Sequence, residues 1–226
     1  MPSAHPLPER LAFVRERTRA RPVPFVPEIA LYQADELTPL WHASAAELEG
    51  WDPAPFWAFA WAGGLALARH LLDHPELVRG KRVFDFATGS GLLAIAALRA
   101  GAVRAVACDT DPLAEAAVRA NAELNGAAVE FRAGDPIGDP LPGFDVVLAG
   151  DVFYEKPLAH DALAWFASLA GRGVLVLAGD PGRLYSPTGG YLERAEYIVP
   201  TLHELESCDS RSTSVLEVLP AAAHVS

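Results

Sequence analysis

Val83-Phe-Asp-Phe-Ala-Thr-Gly-Ser-Gly91 decides the fold class of this 226-residue chain. An apolar strand contains Asp85 near its end, a Gly-Ser-Gly turn follows, and an alanine-rich helical pattern begins directly after Gly91. A second apolar stretch, Val106-Ala-Cys-Asp109, ends in an acid 18 residues past Gly91. This order of strand, glycine turn, helix, strand and acid is how α/β domains bind nucleosides. The glycines let the backbone approach the ligand, and the second acid accepts hydrogen bonds from ribose hydroxyls.

The spacing around the glycines separates two cofactor classes. Gly89-x-Gly91-x-x-Ala94 fits the dinucleotide fingerprint, in which the first glycine follows the strand almost directly. Here Asp85 precedes Gly89 by four residues. A carboxylate at this position would repel the pyrophosphate of NAD, whereas it suits a cationic ligand with an amino group. The alternatives are an NAD site and a glycine turn without a ligand.

The arrangement D-x-x-x-G-x-G resembles motif I of the class I S-adenosylmethionine (SAM) methyltransferases. The resemblance implies that SAM contacts five residues of this segment, namely Asp85, Thr88, Gly89, Ser90 and Gly91. One residue departs from the usual motif, because Ala87 replaces the common first glycine. A methyl group is small, and we expect it to be tolerated.

Two more acids follow predicted strands. Asp109 is the predicted ribose ligand, while Asp111, directly before Pro112, is predicted to cap the next helix. Asp135 follows the predicted strand 128–132, at the sheet edge where ligands bind in open α/β folds. It is a candidate for the adenine amino group, and Asp135-Pro136 is equally typical of a turn.

A third site segment is Phe144-Asp-Val-Val-Leu-Ala-Gly-Asp151-Val-Phe-Tyr154. The predicted strand 144–149 ends beside Gly150, which we expect to let a ligand lie close. Asp151 and Tyr154 are then predicted to project from the carboxyl edge of the sheet into the cleft. We interpret them as the residues that meet the acceptor.

Asp151-x-x-Tyr154 resembles the D/E-x-x-Y/F motif of the seven-β-strand protein lysine methyltransferases. The segments 55–64 and 179–187 are similar to one branch, the electron transfer flavoprotein β-subunit lysine methyltransferases and their bacterial relatives, over residues 24–219. The resemblance implies a SAM cofactor and a protein substrate with an accessible lysine, such as the flavoprotein β subunit. Motif I is also similar to the ribosomal protein L11 methyltransferase. Some 80 residues before motif I are too few for the substrate domain of that enzyme.

The aromatic segment 55–64 has two interpretations. Trp57 and Trp61 are four residues apart, which predicts that both indoles lie on one helical face. They could belong to the core, or they could cover SAM and the acceptor, since aromatic faces attract sulfonium and ammonium groups.

Alternating strand and helix patterns predict a Rossmann-like α/β fold. We expect a seven-stranded, mainly parallel sheet with helices on both faces and a C-terminal antiparallel hairpin of strands 202–208 and 212–219. Residues 189–199 are predicted to form a helix. Before the sheet, a helix over 8–20, a strand over 29–33 and a helix over 43–48 are predicted. We divide the chain into an N-terminal extension or arm, residues 1–54, and a methyltransferase domain, residues 55–226.

Composition limits the partners. A net charge of −11 argues against general nucleic-acid binding and favours a small molecule or a basic protein. Two cysteines form neither a zinc motif nor a disulfide framework, so no metal is expected.

No apolar run reaches the roughly 18 residues of a membrane span. The first 21 residues contain five Arg but also two Glu, and a transit peptide would be poorer in acids. We expect a cytoplasmic protein.

The predicted activity is SAM-dependent methylation of a lysine ε-amine in a protein, with the flavoprotein β subunit and a ribosomal protein as the candidate acceptors. The alternatives are a small-molecule N- or O-methyltransferase, a non-enzymatic SAM-fold binding subunit and an NAD-dependent oxidoreductase.

Methyl transfer requires a neutral lysine, and removing the lysine proton costs about 4 kcal/mol at pH 7.5. A nearby Asp151 carboxylate would raise the lysine pKa, so we expect Asp151 to orient the amine. The sequence leaves two acceptors for the proton, water and Glu155.

Overall fold

A computed structural model describes residues 5–34 and 54–221, without the side chains of Glu204 and Leu205. In its central sheet the seven strands have the order β5-β4-β3-β6-β7-β9-β8. Strands β3 to β7 are parallel, and β9 runs antiparallel to both β7 and β8. The predicted fold class is therefore confirmed. The strands are β3 (Arg82–Phe86), β4 (Arg104–Asp109), β5 (Val129–Ala133), β6 (Val146–Gly150), β7 (Leu175–Asp180), β8 (Tyr191–Pro200) and β9 (Ser210–Val218).

Helices cover both faces of this sheet because its inner strands are apolar on both sides. Along β6, Val146 and Leu148 face one core cluster, and Val147 and Ala149 face another. The first cluster includes α2 and α3, and the second includes α5. The helices of the sheet domain are α2 (Ala62–Asp73), α3 (Leu92–Arg99), α4 (Pro112–Asn125), α5 (Lys156–Ala170) and α6 (His203–Glu206).

The N-terminal segment packs on the sheet domain. It comprises α1 (Leu7–Arg17), β1 (Arg19–Val23) and β2 (Val26–Gln33), and β1 and β2 form a separate antiparallel pair. Arg10 forms an ion pair with Glu115 of α4 at 2.9 Å. Asn121 and Asn125 of α4 accept hydrogen bonds from backbone N–H groups of β2, at 2.7 and 3.1 Å. The two asparagines therefore serve the fold, and residues 7–33 share a core with the domain. The domain boundary at residue 54 stays a prediction.

The C-terminal prediction is wrong in detail. Residues 191–200 form the edge strand β8, where the sequence predicts a helix over 189–199. Pairing with β9 outweighs the helix propensity of Leu-Glu-Arg-Ala-Glu. Residues 203–206 form the short helix α6, where the sequence predicts a strand over 202–208. The hairpin exists, but β8 and β9 form it.

The remaining expectations concern the N-terminal region and membranes. The predicted helix over 8–20 corresponds to α1, which ends at Arg17, and the end of the predicted helix instead belongs to β1, a strand that is not predicted from the sequence. The predicted strand over 29–33 is the second part of β2. The predicted helix over 43–48 lies outside the described residues. Within residues 5–34 and 54–221, no helix is long and apolar enough to cross a bilayer.

Candidate functional site

A cavity of about 500 Å³ opens at the carboxyl ends of the parallel strands. It lies at the neighbouring strands β3 and β6, where the order of the strands in the sheet reverses. The loops after β3, β4, β5 and β6 line it, together with the segment before α2. The predicted site residues that line it are Asp85, Thr88, Gly89, Ser90, Asp109, Asp135, Gly150, Asp151, Tyr154, Trp57 and Trp61. The topology thus brings together four strand ends that are far apart in sequence.

Gly91 is the predicted ligand-binding residue that does not line the cavity. It adopts a φ of +82° directly before α3, and a Cβ there would lie 3.2 Å from Cγ2 of Val118. Close packing of α3 on α4 therefore explains this glycine. Gly89 does face the cavity, with a φ of +52°. Ala87 also has a positive φ, +50°, so it adopts the backbone conformation for which a glycine would be the usual residue.

Asp85 is buried in the cavity wall with one oxygen unpaired. Its Oδ2 accepts hydrogen bonds from Thr88 Oγ1 at 2.5 Å and from Ala94 N at 3.0 Å. Its Oδ1 has no partner among the described residues. Burial raises the pKa of Asp85 to about 7, against the opposing effect of the two hydrogen bonds. A buried carboxylate oxygen without a donor is suited to a ligand that supplies a charged N–H group.

Asp109, at the end of β4, is held by backbone donors. Its Oδ2 accepts from Gly89 N at 2.9 Å and its Oδ1 from Asp111 N at 3.0 Å. These bonds fix the carboxylate at the cavity wall, and burial raises its pKa. Asp111 caps α4, as predicted, by accepting from Leu113 N at 2.7 Å. It also lines the cavity, and burial raises its pKa to about 7.

Asp135 forms the expected turn, and its contact with an adenine amino group stays a prediction. Its Oδ1 accepts from Ile137 N at 2.9 Å, which makes the turn, while the exposed residue also lines the cavity. Within the described ranges, no group of three or more His, Cys, Asp or Glu side chains is arranged to hold a metal ion.

Glycines bring the start of α2 against the ends of β6 and β7. A Cβ on Gly63 would lie 2.2 Å from Gly179 O, and a Cβ on Gly150 would lie 2.9 Å from the backbone of Gly64. The sequence predicts that Gly150 lets a ligand lie close. In the structure, a side chain at position 150 would collide with the backbone of Gly64, so the packing of α2 requires this glycine. Gly150 also lines the cavity. Helix α2 is thereby fixed directly against the loop after β6.

Asp151 lies in the cavity wall, but its carboxylate binds other residues of the protein, where the sequence predicts a side chain projecting into the cleft. It is 7% exposed, and its Oδ2 accepts a hydrogen bond from Gly63 N at the start of α2. Its Oδ1 accepts from Arg183 Nε at 2.6 Å. Burial raises the pKa of Asp151 to about 6, and the Arg183 guanidinium acts against that rise. Both oxygens already have partners, so a contact with an acceptor amine stays a prediction.

An ion cluster extends inward from Asp151. The Nη1 and Nη2 atoms of Arg183 donate to Glu206 at 2.8 and 2.6 Å, and Arg211 Nε lies 2.9 Å from Glu206 Oε2. Glu206 is 6% exposed. Burial alone would lower the pKa of Arg183, but Glu206 and Asp151 together outweigh this effect and raise it, so the guanidinium stays protonated. This cluster joins the loops after β6 and β7 to α6.

Aromatic side chains form the rim of the cavity. The ring of Phe56 lies 5.6 Å from that of Tyr154 and 5.8 Å from that of Trp61. Phe56 and Tyr154 are 40% and 45% exposed, so their rings are open to an incoming side chain. The Arg183 guanidinium carbon lies 5.9 Å from the centre of the Trp61 ring.

The predicted common helical face of Trp57 and Trp61 is wrong. Trp57 lies in a short 3-10 helix, Phe56–Ala58, and Trp61 is the residue directly before α2. Trp57 is 1% exposed and packs edge-to-face on Phe13, at 6.4 Å between ring centres. It belongs to the core and contributes to the cavity wall. Trp61 belongs to the rim.

Sequence reasoning missed two residues of the site, Arg183 and Glu206. Arg183 stands in the quoted segment 179–187, but nothing in its spacing shows that it pairs with Asp151. Glu206 lies within residues predicted as a strand, so its partner could not be inferred. A positive charge directly after Asp180-Pro-Gly182 at a strand end is the signal that the sequence offers for Arg183.

Comparison with protein families identifies relatives over most of the chain. Residues 67–151 match the family model described as ribosomal protein L11 methyltransferase (PrmA). The electron transfer flavoprotein β-subunit lysine methyltransferase of Xenopus laevis is 39% identical over 175 residues, which cover 76% of this chain and 70% of that protein. The human protein of the same name is 37% identical over 180 residues, covering 78% of this chain and 68% of that protein.

Solved structures share the fold. An RNA methyltransferase from Salinibacter ruber, determined with S-adenosyl-L-homocysteine, has a TM-score of 0.51 and 18% identity. The match covers 70% of this chain and 94% of that chain. At this level of identity, the likeness concerns the arrangement of the sheet and helices.

Proposed function

The chain belongs to the electron transfer flavoprotein β-subunit lysine methyltransferase family, and from this premise we propose how its site methylates a protein lysine. It is an enzyme that uses SAM. When bound, SAM supplies a methyl group that is already activated on a sulfonium. The residues of the chain therefore have to bind the donor, admit the lysine and orient the two, because positioning supplies most of the rate.

The unpaired Oδ1 of Asp85 carries the assignment of the cofactor half of the cavity. A buried carboxylate oxygen costs free energy unless a donor reaches it. The amino group of a SAM methionine moiety would be that donor, whereas the pyrophosphate of NAD would be repelled. The Asp109 carboxylate is held at the end of the neighbouring strand and suits ribose hydroxyls. The cavity residues thus fit SAM.

The other half of the cavity has the properties that a lysine acceptor needs. Phe56, Trp61 and Tyr154 offer aromatic surface at the rim, which removes water from the amine and lowers its pKa. The charge of Asp151 is countered by Arg183 at hydrogen-bond distance. The carboxylate therefore raises the lysine pKa less than an isolated anion would. Asp151 also fixes the loop that carries Tyr154, and its contact with the acceptor amine stays a prediction.

We propose the electron transfer flavoprotein β subunit as the acceptor protein, because the relatives named for that substrate match the chain on both sides of the SAM motif. A ribosomal protein is the alternative, and the support for it is the family match over 67–151. A net charge of −11 favours a basic surface around the acceptor lysine. The proposal includes a cytoplasmic location, which rests on the sequence pattern alone.

Calorimetry and a labelling assay test this proposal. We expect SAM and S-adenosylhomocysteine to bind at micromolar strength, and NAD not to bind. Tritiated SAM is then incubated with the enzyme and a panel of proteins that includes the flavoprotein β subunit and ribosomal proteins, and the products are resolved on a gel. We expect label on a protein band. Binding of NAD without SAM would end the methyltransferase assignment, and label on a small amine alone would replace the protein acceptor by a small molecule.

A further inference from the structure

The Arg183–Glu206 pair, in which Glu206 is buried and Arg183 partly buried, lies between the acceptor half of the cavity and the last hairpin of the sheet. Its guanidinium has three simultaneous contacts, to Asp151, to both oxygens of Glu206 and to the face of Trp61. The side chain of Glu206 is 5% exposed and that of Arg183 is 18% exposed. A planar guanidinium held by two carboxylates has essentially one orientation.

The loop that carries Arg183 is fixed independently of this side chain. Its backbone N donates to Asp180 Oδ1 at 3.3 Å, and Tyr185 N donates to Phe153 O at 3.1 Å. The loop therefore has a defined position, and the direction in which the Arg183 side chain points depends on its carboxylate partners. Glu206 supplies two of the three hydrogen bonds from the guanidinium to side chains.

The cofactor half of the cavity shares none of these contacts among the described residues. Asp85 is held by Thr88 and Ala94, and Asp109 by Gly89 and Asp111. A change at Glu206 should therefore reach Trp61 and Asp151 and leave the cofactor-binding carboxylates in place.

We propose that Glu206 is a positioning residue of the methyl-transfer reaction, which orients Arg183 and through it Asp151 and the Trp61 indole at the acceptor side of the cavity. This inference rests on the proposed function, because it assumes that an acceptor lysine enters beside Trp61. It assigns to α6, a short helix between the last two strands, a role in acceptor alignment that its sequence does not reveal.

The variant Glu206→Gln keeps the size of the side chain and removes its charge and one accepting oxygen. We expect kcat/KM for the acceptor protein to fall about 10- to 100-fold, because a small misplacement of positioning groups is costly. The Kd for SAM should stay within about twofold, since the cofactor contacts are separate. The matched control is Glu130→Gln, which removes the same charge from an exposed bidentate pair with Arg104, at 2.9 and 2.7 Å. Glu130→Gln should change neither kcat/KM for the acceptor protein nor the Kd for SAM.

Two further measurements separate positioning from charge and from folding. Arg183→Lys keeps the positive charge but loses the planar fork, so we expect it to lower acceptor kcat/KM as Glu206→Gln does. The indole N–H resonance of Trp61, assigned with Trp61→Phe, should shift in Glu206→Gln and stay unchanged in Glu130→Gln. This readout does not depend on activity.

The outcomes are distinguishable. An unmoved Trp61 resonance, or full activity of Arg183→Lys, overturns the positioning role. A loss of SAM affinity in parallel with activity, or an activity loss that only follows the folded fraction, overturns it as well. A wild-type enzyme that labels no lysine contradicts the proposed function, and the Trp61 resonance then still decides whether Glu206 orients Arg183.

Discussion

Substituting Gly63 by alanine should destabilise the protein strongly, because α2 touches the sheet ends through bare backbone. A Cβ on Gly63 would lie 2.2 Å from Gly179 O and 2.7 Å from both Asp151 N and Asp151 Oδ2. Two of these three atoms are backbone, so no side-chain rotation relieves the overlap. Moving α2 outward would also break the hydrogen bond from Gly63 N to Asp151.

The expected destabilisation by Gly63→Ala is the sum of the steric overlap and the lost hydrogen bond. Overpacking of a well-packed site costs about 1–3 kcal/mol. Loss of a hydrogen bond to a charged group adds about 1.5–3 kcal/mol. We expect the free energy of unfolding of Gly63→Ala to fall by about 3–5 kcal/mol, which for a chain of this size lowers Tm by roughly 6–20 °C.

Gly64→Ala is the matched control, since it adds the same methyl group one residue further along the same helix. Its nearest atom would be Leu92 Cδ2 at 3.8 Å, an ordinary contact. We expect Gly64→Ala to be neutral or to gain about 0.5–1 kcal/mol. Thermal and urea unfolding of both variants, followed by circular dichroism, measure the difference. Equal stability of the two variants would refute the close approach of Gly63 to Gly179.

Three further predictions concern the cofactor half of the site. Asp109→Ala should weaken SAM binding by about 1.5–3 kcal/mol in calorimetry, because a charged acceptor for the ribose is lost; unchanged affinity would remove Asp109 from the ribose site. Ala87→Gly should raise the free energy of unfolding by about 0.5–1 kcal/mol, because Ala87 has a φ of +50°; a lower Tm would contradict this. Burial raises the pKa of Asp85 to about 7, so the carboxyl must lose a proton to bind an ammonium group below that pH. SAM affinity should therefore fall as the pH is lowered from about 7.5 to about 6, by up to about tenfold, and less steeply in Asp85→Asn. An identical pH dependence in that variant would exclude Asp85.

The local patterns of the sequence predict the parallel part of the fold and the aspartates at the carboxyl ends of its strands. The reason is physical: buried parallel strands are continuous apolar runs, and their carboxyl ends meet at one edge. Asp85, Asp109 and Asp135 reach the same cavity because each lies at or just beyond the carboxyl end of such a strand.

Contacts between distant segments could not be predicted in the same way. Residues 191–200 have the composition of a helix, and only their pairing with β9 makes them a strand. The sequence marks Asp151 as an acid at a strand end, but its direction depends on Gly63 and on Arg183, 88 and 32 positions away. The Arg183–Glu206 pair likewise has no periodic signal.

Peptide mass spectrometry of the flavoprotein β subunit, after incubation with the enzyme and SAM, tests the central claim most directly. The account predicts methyl groups on a lysine side chain of the acceptor, absent without SAM and strongly reduced in Asp109→Ala at limiting SAM. Methylation of no lysine in this protein or in any ribosomal protein, by an enzyme shown to bind SAM, would contradict it.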